Sequence, residues 1–282
     1  ALELANRLDL EIVSCDSRQI YKHMTIGTAK PTGKELSGCP YHLIDYVDPD
    51  QVYSAAKYRQ AAAEIFSDIF SRGKRPLVVG GTGLYLRALT EGFFLTPEPD
   101  MSYRDELSRL TVAELSEILQ DIDPESAVAI EANNKVRLIR ALEIAHTTGH
   151  TKSDLARFGH YPQRKYAYLL FVLTCSREKL YQIINRRVDK MIDDGFVAEV
   201  KTLAEKGYRD SPVLRSTVGY REILKHLAGE FGLDRCVELI KQKHRNYAKR
   251  QITWFNRAPG LITVDITSAN PTEAIWQRLK KN

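Results

Sequence analysis

The segment Pro76-Leu77-Val78-Val79-Gly80-Gly81-Thr82-Gly83-Leu84 joins a short apolar run to a glycine-rich turn. The run is typical of a strand buried in a parallel sheet, and the residues from Leu84 onward predict a helix. A strand, a glycine-rich turn and a helix in this order indicate a doubly wound α/β sheet. Glycines in such a turn let backbone N–H groups approach an anion, although tight packing explains many such turns equally well. We therefore predict an α/β fold and treat Thr82 as a candidate site residue.

A second candidate site follows an earlier β-type run, Glu11-Ile12-Val13. Its polar residues lie in the segment Ser14-Cys15-Asp16-Ser17-Arg18-Gln19-Ile20-Tyr21. Ligands of open α/β sheets bind outside the carboxyl ends of the strands, so Asp16 is a candidate general base. The other interpretation of Asp16 is a helix cap or a solvated turn. In the next segment, Gly27-Thr28-Ala29-Lys30-Pro31, we predict that Thr28 and Lys30 contact a phosphate together with Thr82.

The remaining patterns predict a core with one insert. Helical patterns alone fill the chain from Met101 to about Tyr161, and the composition changes near Pro97. We predict an α/β core formed by residues 1–99 and 161–282, and a helical insert at 100–160. The predicted helices lie at 1–8, 53–71, 112–119, 125–131 and 134–146, and the predicted strands at 11–14, 76–79, 167–173 and 261–264. For the helix at 53–71, Ser54 is the predicted cap and Gly73 the predicted stop.

Composition limits the class of protein. The 282 residues are 43% hydrophobic, which is enough for a buried core, and no apolar run is long enough to cross a membrane. Four cysteines lie far apart without a CxxC pair, so we expect neither a disulfide framework nor a zinc site, and we expect a cytoplasmic protein. The net charge of +5 favours a polyanionic partner only weakly. Basic residues concentrate at 241–250, where the alternative interpretation is a solvated helix face.

Three further segments combine charge with hydroxyl or aromatic groups. Arg187 lies in Asn185-Arg186-Arg187-Val188-Asp189-Lys190-Met191, where it either faces an anion or forms a surface ion pair with Asp189 or Asp193. Val136–Arg140 brings two arginines onto one helical face, and Ser216–Arg221 places an aromatic ring beside an arginine. Basic groups next to aromatic groups suit unpaired RNA bases. In the segment at 245–255, Trp254 is more typical of a core residue than of a base-stacking residue.

Eight segments together resemble the tRNA dimethylallyltransferase family. In chain order they are SCDSRQIYKHMTIGTAKPT, YHLID, DPDQVYSAAKYR, VVGGTGLYLRAL, NNKVRLIRALEI, INRRVDKMIDDGF, TVGYREI and YAKRQITWF. They span nearly the whole chain, and eight segments in the same order are far more specific than one. The resemblance implies a P-loop-kinase-like, nucleotide-binding core in which no ATP is hydrolysed, with a helical insert that grips the anticodon stem-loop.

The resemblance also implies an activity, partners and roles for residues. The family transfers a dimethylallyl group from dimethylallyl diphosphate to N6 of the adenosine next to the anticodon, position 37 of tRNA, with Mg²⁺ as cofactor. Asp16, Arg187 and Thr82 are the implied catalytic residues, and Arg187 with Lys30 is expected at the diphosphate. The positions implied to contact tRNA are Asp16, Ser17, Arg18, Gln19, Thr82, Arg104, Val136, Arg137, Leu138, Ile139, Arg140, Ser216, Thr217, Val218, Gly219, Tyr220 and Arg221. We expect a monomer that does not bind membranes.

One family feature lies outside this chain. The family begins with a P-loop of the form GPTxxGK[ST], directly before the helix with which this sequence opens. That loop supplies N–H groups, a lysine and a Mg²⁺-binding hydroxyl. Because the chain opens inside an amphipathic helix without a capping residue, we expect further residues before Ala1.

Three other functions fit parts of the sequence. An adenylate isopentenyltransferase acts on free nucleotide and shares the core motifs, but it needs neither the insert nor the basic segment. A small-molecule kinase is suggested by the fold alone. A catalytically dead RNA-binding protein would bind tRNA without alkylating it, and the missing P-loop keeps this alternative open.

Overall fold

The computed structural model of the chain describes residues 1–91, 100–131, 133–157, 166–258 and 260–280. It contains two compact units, one formed by Ala1–Thr90 with Tyr166–Asn282 and the other by Glu91–Lys165. The first half of the first unit contains α1 (Leu2–Leu8), β1 (Leu10–Ser14), α2 (Lys34–Ser37), β2 (Tyr41–His42), α3 (Ala55–Ser71), β3 (Arg75–Val79) and α4 (Gly83–Thr90). Its second half contains β4 (Leu170–Thr174), α10 (Arg177–Asp193), α11 (Phe196–Glu205), α12 (Pro212–Ser216), α13 (Tyr220–Leu227), α14 (Leu233–Phe255), β5 (Leu261–Asp265) and α15 (Pro271–Leu279). The second unit contains α5 (Met101–Arg109), α6 (Val112–Ile122), α7 (Pro124–Ala129), α8 (Lys135–Thr148) and α9 (Lys152–Arg157).

Parallel strands flanked by helices confirm the predicted α/β class. The first sheet has the order β2-β1-β3, with every pair parallel. Ser14 at the end of β1 pairs with Val79 at the end of β3. The two polar turns singled out in the sequence therefore begin side by side at one edge of this sheet.

The described strands form two sheets instead of one continuous sheet. The second contains only β4 and β5, which are parallel, with Leu170 opposite Leu261. One hydrophobic cluster contains Leu77 of β3, Phe171 of β4 and Val264 of β5, so side chains from both sheets share a core. The strand predicted at 167–173 begins at Leu170, and β2, with two residues, was not predicted.

Helix α3 shows how the sequence sets its own boundaries. The Ser54 hydroxyl accepts a hydrogen bond from the Lys57 N–H at 3.2 Å, which confirms the predicted cap. Tyr58, Ala62, Phe66 and Ile69 recur at helical spacing and are buried beside β1. The helix ends at Ser71, and Gly73 has a φ of 73°, which suits glycine at a helix stop.

A buried acid anchors α3 to the sheet. Glu11 of β1 is 1% exposed and accepts hydrogen bonds from the two terminal guanidinium nitrogens of Arg72, while His42 lies 2.8 Å from its carboxylate. The hydrogen bonds from Arg72 are the main reason why the pKa of Glu11 is lowered to about 2, against the opposing effect of burial. This ion cluster joins residues 61 positions apart at the end of the sheet opposite the polar turns.

The C-terminal helices pack on the loop that follows β1. One core cluster contains Ile20 and Met24 of that loop with Phe196, Tyr220 and Ile240 of the helices, all essentially inaccessible to solvent. The polar segment after β1 therefore rests on the helical half of the unit as well as on the sheet.

The second unit is helical throughout its described residues. Thr111 and Glu114 form a reciprocal capping box at the start of α6, and Asn134 caps α8 through the Arg137 N–H. Its core contains Leu107, Leu115 and Leu142 among others. Within the described part of the whole chain, none of the helices combines the length and apolar character needed to cross a membrane.

Candidate active site

The two oxygens of the Asp16 carboxylate differ in their hydrogen bonds. Oδ1 accepts hydrogen bonds from the backbone N–H groups of Arg18 at 2.7 Å and Gln19 at 3.2 Å. This closes a tight turn at the end of β1, so the turn interpretation is right for this oxygen. Oδ2 makes no hydrogen bond with the described part of the chain, and the residue is half-buried. The structure thus presents one fixed carboxylate oxygen that is available to a ligand.

Thr82 ties the glycine-rich turn to the turn of Asp16. Its N–H donates to the carbonyl of Cys15 at 3.1 Å, and its Oγ1 accepts the N–H of Ser17 at 2.9 Å. Its hydroxyl also lies 3.3 Å from the hydroxyl of Ser17. Asp16 is therefore held from both sides, since its two chain neighbours bind Thr82.

The glycines of this turn are explained by close packing. A Cβ on Gly80 would lie 2.2 Å from the carbonyl oxygen of Cys15. On Gly81 it would lie 2.0 Å from the Gln251 amide nitrogen, and on Gly83 it would lie 2.4 Å from the Trp254 ring. The packing interpretation considered for the sequence accounts for all three contacts.

Helix α14 covers the glycine-rich turn with Tyr247 and Gln251, which are not among the site residues predicted from the sequence. The Gln251 amide donates to the Gly81 carbonyl at 2.9 Å, and the Tyr247 hydroxyl lies 3.5 Å from the same oxygen. Burial raises the pKa of Tyr247, with a smaller contribution from the charge of Asp16. Positions 247, 251 and 254 have the spacing of one helical face, and this signal could have identified them.

The basic segment at 241–250 is partly used for packing between helices. Lys241 forms an ion pair with Asp189 of α10 at 2.7 Å, and Arg245 donates to Asn185 at 2.7 Å. Trp254 is half-buried and packs edge-to-face on Phe255, in keeping with the core interpretation. The pairing with α10 is a structural role that the charge pattern alone did not indicate.

Lys30 does not lie where the sequence placed it, and the prediction of a diphosphate contact is wrong. Its ammonium is buried, with 4% of the side chain exposed. It donates to the Tyr21 carbonyl at 2.6 Å and to the Asp45 carboxylate at 2.5 Å. The Thr28 hydroxyl is likewise engaged, since it donates to the Met24 carbonyl at 2.6 Å. Both side chains hold their own loop together.

The segment Ser216–Arg221 is only partly accessible. Thr217, Gly219 and Tyr220 are buried, so the side chains of Thr217 and Tyr220 do not lie on a surface that RNA could contact, contrary to the prediction. Tyr220 is completely inaccessible, and burial is the main reason why its pKa is raised well above the usual value. Ser216, Val218 and Arg221 keep some exposure, and Arg221 donates to Glu222 at 2.7 Å.

Two of the predicted tRNA residues connect the turn of Asp16 to other parts of the chain, Arg18 to the segment Ser216–Arg221 and Gln19 to the loop after β1. The Arg18 guanidinium lies 3.5 Å from the Ser216 hydroxyl. The Gln19 amide donates to the carbonyls of Thr28 at 3.2 Å and Ala29 at 3.1 Å. The structure therefore brings Asp16, Ser17, Arg18 and Gln19 together with Thr82 and Ser216.

Arg187 of α10 is exposed and makes no ion pair or hydrogen bond with the described residues. The alternative of a surface ion pair with Asp189 is wrong, because Asp189 pairs with Lys241 instead. The neighbouring His244 is half-buried, and this burial, followed by the charge of Arg187, lowers its pKa to about 4. The guanidinium donors of Arg187 are therefore available to a ligand.

The predicted RNA residues of the second unit separate into exposed and buried groups. Leu138 and Ile139 are 1% and 8% exposed and belong to the core, so their prediction as RNA-contacting side chains is wrong. Val136 and Arg137 are exposed. Arg104 forms an ion pair with Glu143 at 2.6 Å, and Arg140 forms one with the same carboxylate at 3.3 Å. Glu143 itself is fully buried and orients both arginines.

A metal site made by protein side chains alone is absent from the described residues. They contain no group of three or more His, Cys, Asp or Glu side chains placed to hold an ion. Asp16 is a single carboxylate with one oxygen already committed to the turn. The residues present therefore do not by themselves fit a resident Mg²⁺ ion.

Comparisons with known proteins agree on one family. The profile of the family described as "IPP transferase" matches residues 19–258. A tRNA dimethylallyltransferase of Geobacter metallireducens is 44% identical over 94% of this chain and 87% of its own length. Another from Thermotoga petrophila is 41% identical over 99% of this chain and 92% of its own length.

Solved structures show the same similarity. The full-length tRNA isopentenylpyrophosphate transferase of Bacillus halodurans aligns with a TM-score of 0.72 and 38% identity, over 99% of this chain and 89% of that chain. A eukaryotic dimethylallyltransferase acting on tRNA aligns with a TM-score of 0.83 and 28% identity, over 99% of this chain and 73% of that chain.

Proposed function

Because the chain belongs to the IPP transferase family, we infer that it is a prenyltransferase acting on tRNA. It transfers a dimethylallyl group from dimethylallyl diphosphate to N6 of the adenosine at position 37, next to the anticodon, and releases diphosphate. The observation that carries this conclusion is the similarity to tRNA dimethylallyltransferases along almost the entire chain. The available oxygen of Asp16 gives the reaction a candidate base.

The chemistry requires alignment and the removal of a proton. The lone pair of the N6 amine is delocalised into the adenine ring, so the amine is a weak nucleophile. The bond from N6 to the allylic C1 forms as the bond from C1 to the diphosphate oxygen breaks, and one N6 proton must leave. We propose that Asp16 Oδ2 orients the amine and accepts this proton, while Oδ1 stays bound to the turn.

The adenine must leave the stack of the anticodon loop to reach Asp16. Extrusion of a base costs a few kcal/mol, roughly, and contacts to the rest of the RNA offset this cost. We propose that Ser17, Arg18 and Gln19 line the extruded nucleotide, because they share the turn of Asp16. Thr82 fixes that turn, and Ser216 and Arg221 contribute at its margin.

Arg187 is the proposed residue for the leaving group. A planar guanidinium with no ion pair to the described residues is suited to hold a diphosphate and to stabilise its developing charge. Mg²⁺ is proposed only as an ion that arrives with the diphosphate, which matches the common use of substrate phosphates as Mg²⁺ ligands. The described side chains do not form a site for this ion by themselves.

Replacement of Arg187 by alanine should impair the reaction with dimethylallyl diphosphate. We expect the KM for dimethylallyl diphosphate to rise or turnover to fall by roughly tenfold or more, because a charge-assisted contact to the leaving group is lost. Steady-state kinetics at varied dimethylallyl diphosphate measure this. The variant Arg209→Ala also removes one exposed arginine and should behave as wild type. An unchanged response of Arg187→Ala to the allylic substrate would refute the assignment.

We propose that the second unit binds the anticodon stem-loop. Arg137 is exposed, and Arg104 and Arg140 are held by the buried Glu143 with about a third of each side chain accessible. Phosphate contacts made by arginine supply much of the affinity for nucleic acids and make it dependent on salt. We propose that Val136 and Arg137, not the buried Leu138 and Ile139, contact RNA from α8.

Arg137→Ala should therefore weaken tRNA binding and flatten its dependence on salt. Loss of one phosphate contact reduces the slope of log K against log salt by about 0.7 to 0.9. Titration of tRNA at several salt concentrations measures the slope, with Arg209→Ala as the matched loss of charge. If the slope stays the same, Arg137 does not contact a phosphate.

One incubation separates the proposed function from its alternatives. The natural full-length protein is given dimethylallyl diphosphate with either tRNA or AMP, and the modified nucleoside is identified by mass spectrometry. Prenylated adenosine at position 37 of tRNA supports the proposal, whereas prenylated AMP indicates the free-nucleotide enzyme. Binding of tRNA without alkylation indicates a dead enzyme. We further propose that the protein acts as a monomer in the cytoplasm, which sedimentation and cell fractionation test.

A further inference from the structure

The Glu199 carboxylate of α11 binds the loop that follows β1. Its Oε2 accepts the backbone N–H groups of Thr25 at 2.9 Å and Ile26 at 2.7 Å, and its Oε1 accepts that of Gly27 at 3.2 Å. The Tyr220 hydroxyl donates to Oε1 at 2.6 Å. One side chain therefore satisfies three successive backbone donors located more than 170 residues away in the sequence. No local pattern in the sequence indicated this contact.

The loop also packs closely on the residues around Glu199. A Cβ on Gly27 would lie 2.1 Å from a ring carbon of Phe196 and 2.6 Å from a ring carbon of Tyr220. Those two rings pack edge-to-face with centroids 4.9 Å apart. Phe196, Glu199 and Tyr220 form what we call the loop socket. The backbone at Gly27 fills it without space for a larger residue.

The opposite side of the same loop holds a residue of the candidate active site. The carbonyls of Thr28 and Ala29 accept the two hydrogen bonds from the Gln19 amide. The backbone N–H of Gln19 in turn donates to Asp16. The loop backbone therefore links Glu199 to Gln19, and the hydrogen bond from the Ala29 N–H to the Ile26 carbonyl at 3.0 Å closes the turn between the two sets of contacts.

We propose that Glu199 is a positioning residue for tRNA recognition, acting through the loop at Thr25–Ala29 to fix the Gln19 side chain. This inference rests on the proposed function, in which Gln19 lines the extruded nucleotide. Glu199 touches neither RNA nor the reacting atoms. Glu199 keeps the loop in one conformation, and the loop in turn keeps the Gln19 amide in the position that it needs to contact the nucleotide.

The chemistry of the socket requires a carboxylate. Two ionised oxygens offer enough lone pairs for three N–H donors and one hydroxyl. A carboxamide has the same shape but only one acceptor oxygen, and its NH₂ group would face an N–H or a hydroxyl donor. Glu199→Gln therefore loses at least one hydrogen bond from a buried donor without creating a cavity, which makes it a sharp probe.

The test compares Glu199→Gln with Glu205→Gln in the natural full-length protein. Glu205 is an exposed residue of the same helix, paired loosely with Lys201 at 3.9 Å, so both variants lose one negative charge from α11. We expect Glu199→Gln to raise the Kd for an anticodon stem-loop by about tenfold, because a charge-assisted hydrogen bond is lost. The KM for dimethylallyl diphosphate should change less than about twofold, since that contact is made elsewhere. Glu205→Gln should match wild type in both.

Amide hydrogen exchange supplies a readout that needs no activity. In Glu199→Gln the amides of Thr25, Ile26 and Gly27 should exchange faster, while those of β3 stay protected. Tyr220→Phe removes only one of the four donors and should raise the Kd for the stem-loop by a smaller factor in the same direction. Tyr220→Phe therefore still tests the proposal if Glu199→Gln does not fold.

Several results would overturn the proposal. Equal stem-loop affinity in Glu199→Gln and Glu205→Gln would do so, as would a similar loss for both substrates, which indicates a general structural defect. Failure of the wild-type protein to prenylate tRNA would instead contradict the proposed function. The binding and exchange measurements would still decide whether Glu199 holds the loop, so the two failures are distinguishable.

Discussion

Asp16→Asn is expected to lower turnover by roughly 10²–10⁴-fold, the usual contribution of a general base. Asparagine keeps an oxygen that can accept the N–H groups of Arg18 and Gln19, so the turn at the end of β1 should survive. What is lost is the second, available oxygen as a proton acceptor. Single-turnover transfer with tRNA and dimethylallyl diphosphate at saturation measures the change directly.

Two further variants separate the role of Asp16 as a base from its role in the turn. Asp50→Asn removes another carboxylate, exposed and outside the site, and should leave turnover unchanged. Asp16→Ala removes both the base and the acceptor of the turn, so it should be at least as slow as Asp16→Asn and also less stable. The affinity of Asp16→Asn for tRNA should change little. Near-normal turnover of Asp16→Asn would remove Asp16 from the proton transfer.

Gly80→Ala is expected to be the most damaging small substitution near the site. The added methyl group would lie 2.2 Å from the Cys15 carbonyl oxygen and 2.3 Å from its carbonyl carbon. These are backbone atoms of the residue that directly follows β1, and they cannot rotate away as a side chain could. We expect a loss of about 3 kcal/mol in the free energy of unfolding, at the upper end of the range for overpacking. Displacement of the turn should also break the Thr82 contacts to Cys15 and Ser17 and abolish transfer.

Gly232→Ala is the matched control for this substitution. A Cβ there would meet nothing within 4 Å, and Gly232 has a φ of −70° at the start of α14. Alanine should cost about 1 kcal/mol or less, the usual loss at a helix N-cap. Urea unfolding measures both variants through the shift of the midpoint at an unchanged slope. Equal midpoints for the two variants would show that the turn can move away from β1.

Features encoded by local periodicity were predictable from the sequence. The apolar run at 76–79, the cap at Ser54 and the helical spacing of α3 each depend on neighbouring residues, and each is present in the structure. The polar turn at Asp16 was also predictable, because its position after a strand follows from the order of the elements. Strand β2 is not predictable from the sequence, because its two residues are too few to show an alternation and only the pairing with β1 defines it.

The contacts that individual side chains make in the folded protein were not predictable from local sequence. Lys30 has the residue type of a phosphate ligand, yet tertiary packing directs its ammonium to Tyr21 and Asp45. Tyr220 lies in an RNA-like mixture of hydroxyl, aromatic and basic groups, yet its ring is buried against Phe196. No local pattern indicates the role of Glu199, because its partners lie far away in the sequence. Charge and aromaticity indicate what a residue can bind, whereas the fold decides what it reaches.

The central claim is that one oxygen of Asp16 faces the acceptor amine while the other holds its own turn. A crystal structure of the full-length protein with an anticodon stem-loop and an unreactive analogue of dimethylallyl diphosphate tests this most directly. We predict N6 of the extruded adenosine within about 2.6–3.2 Å of Asp16 Oδ2, the reach of a general base, with Oδ1 still bound to Arg18 and Gln19. A complex in which Asp16 is turned away from N6, or separated from it by other side chains, would contradict the account.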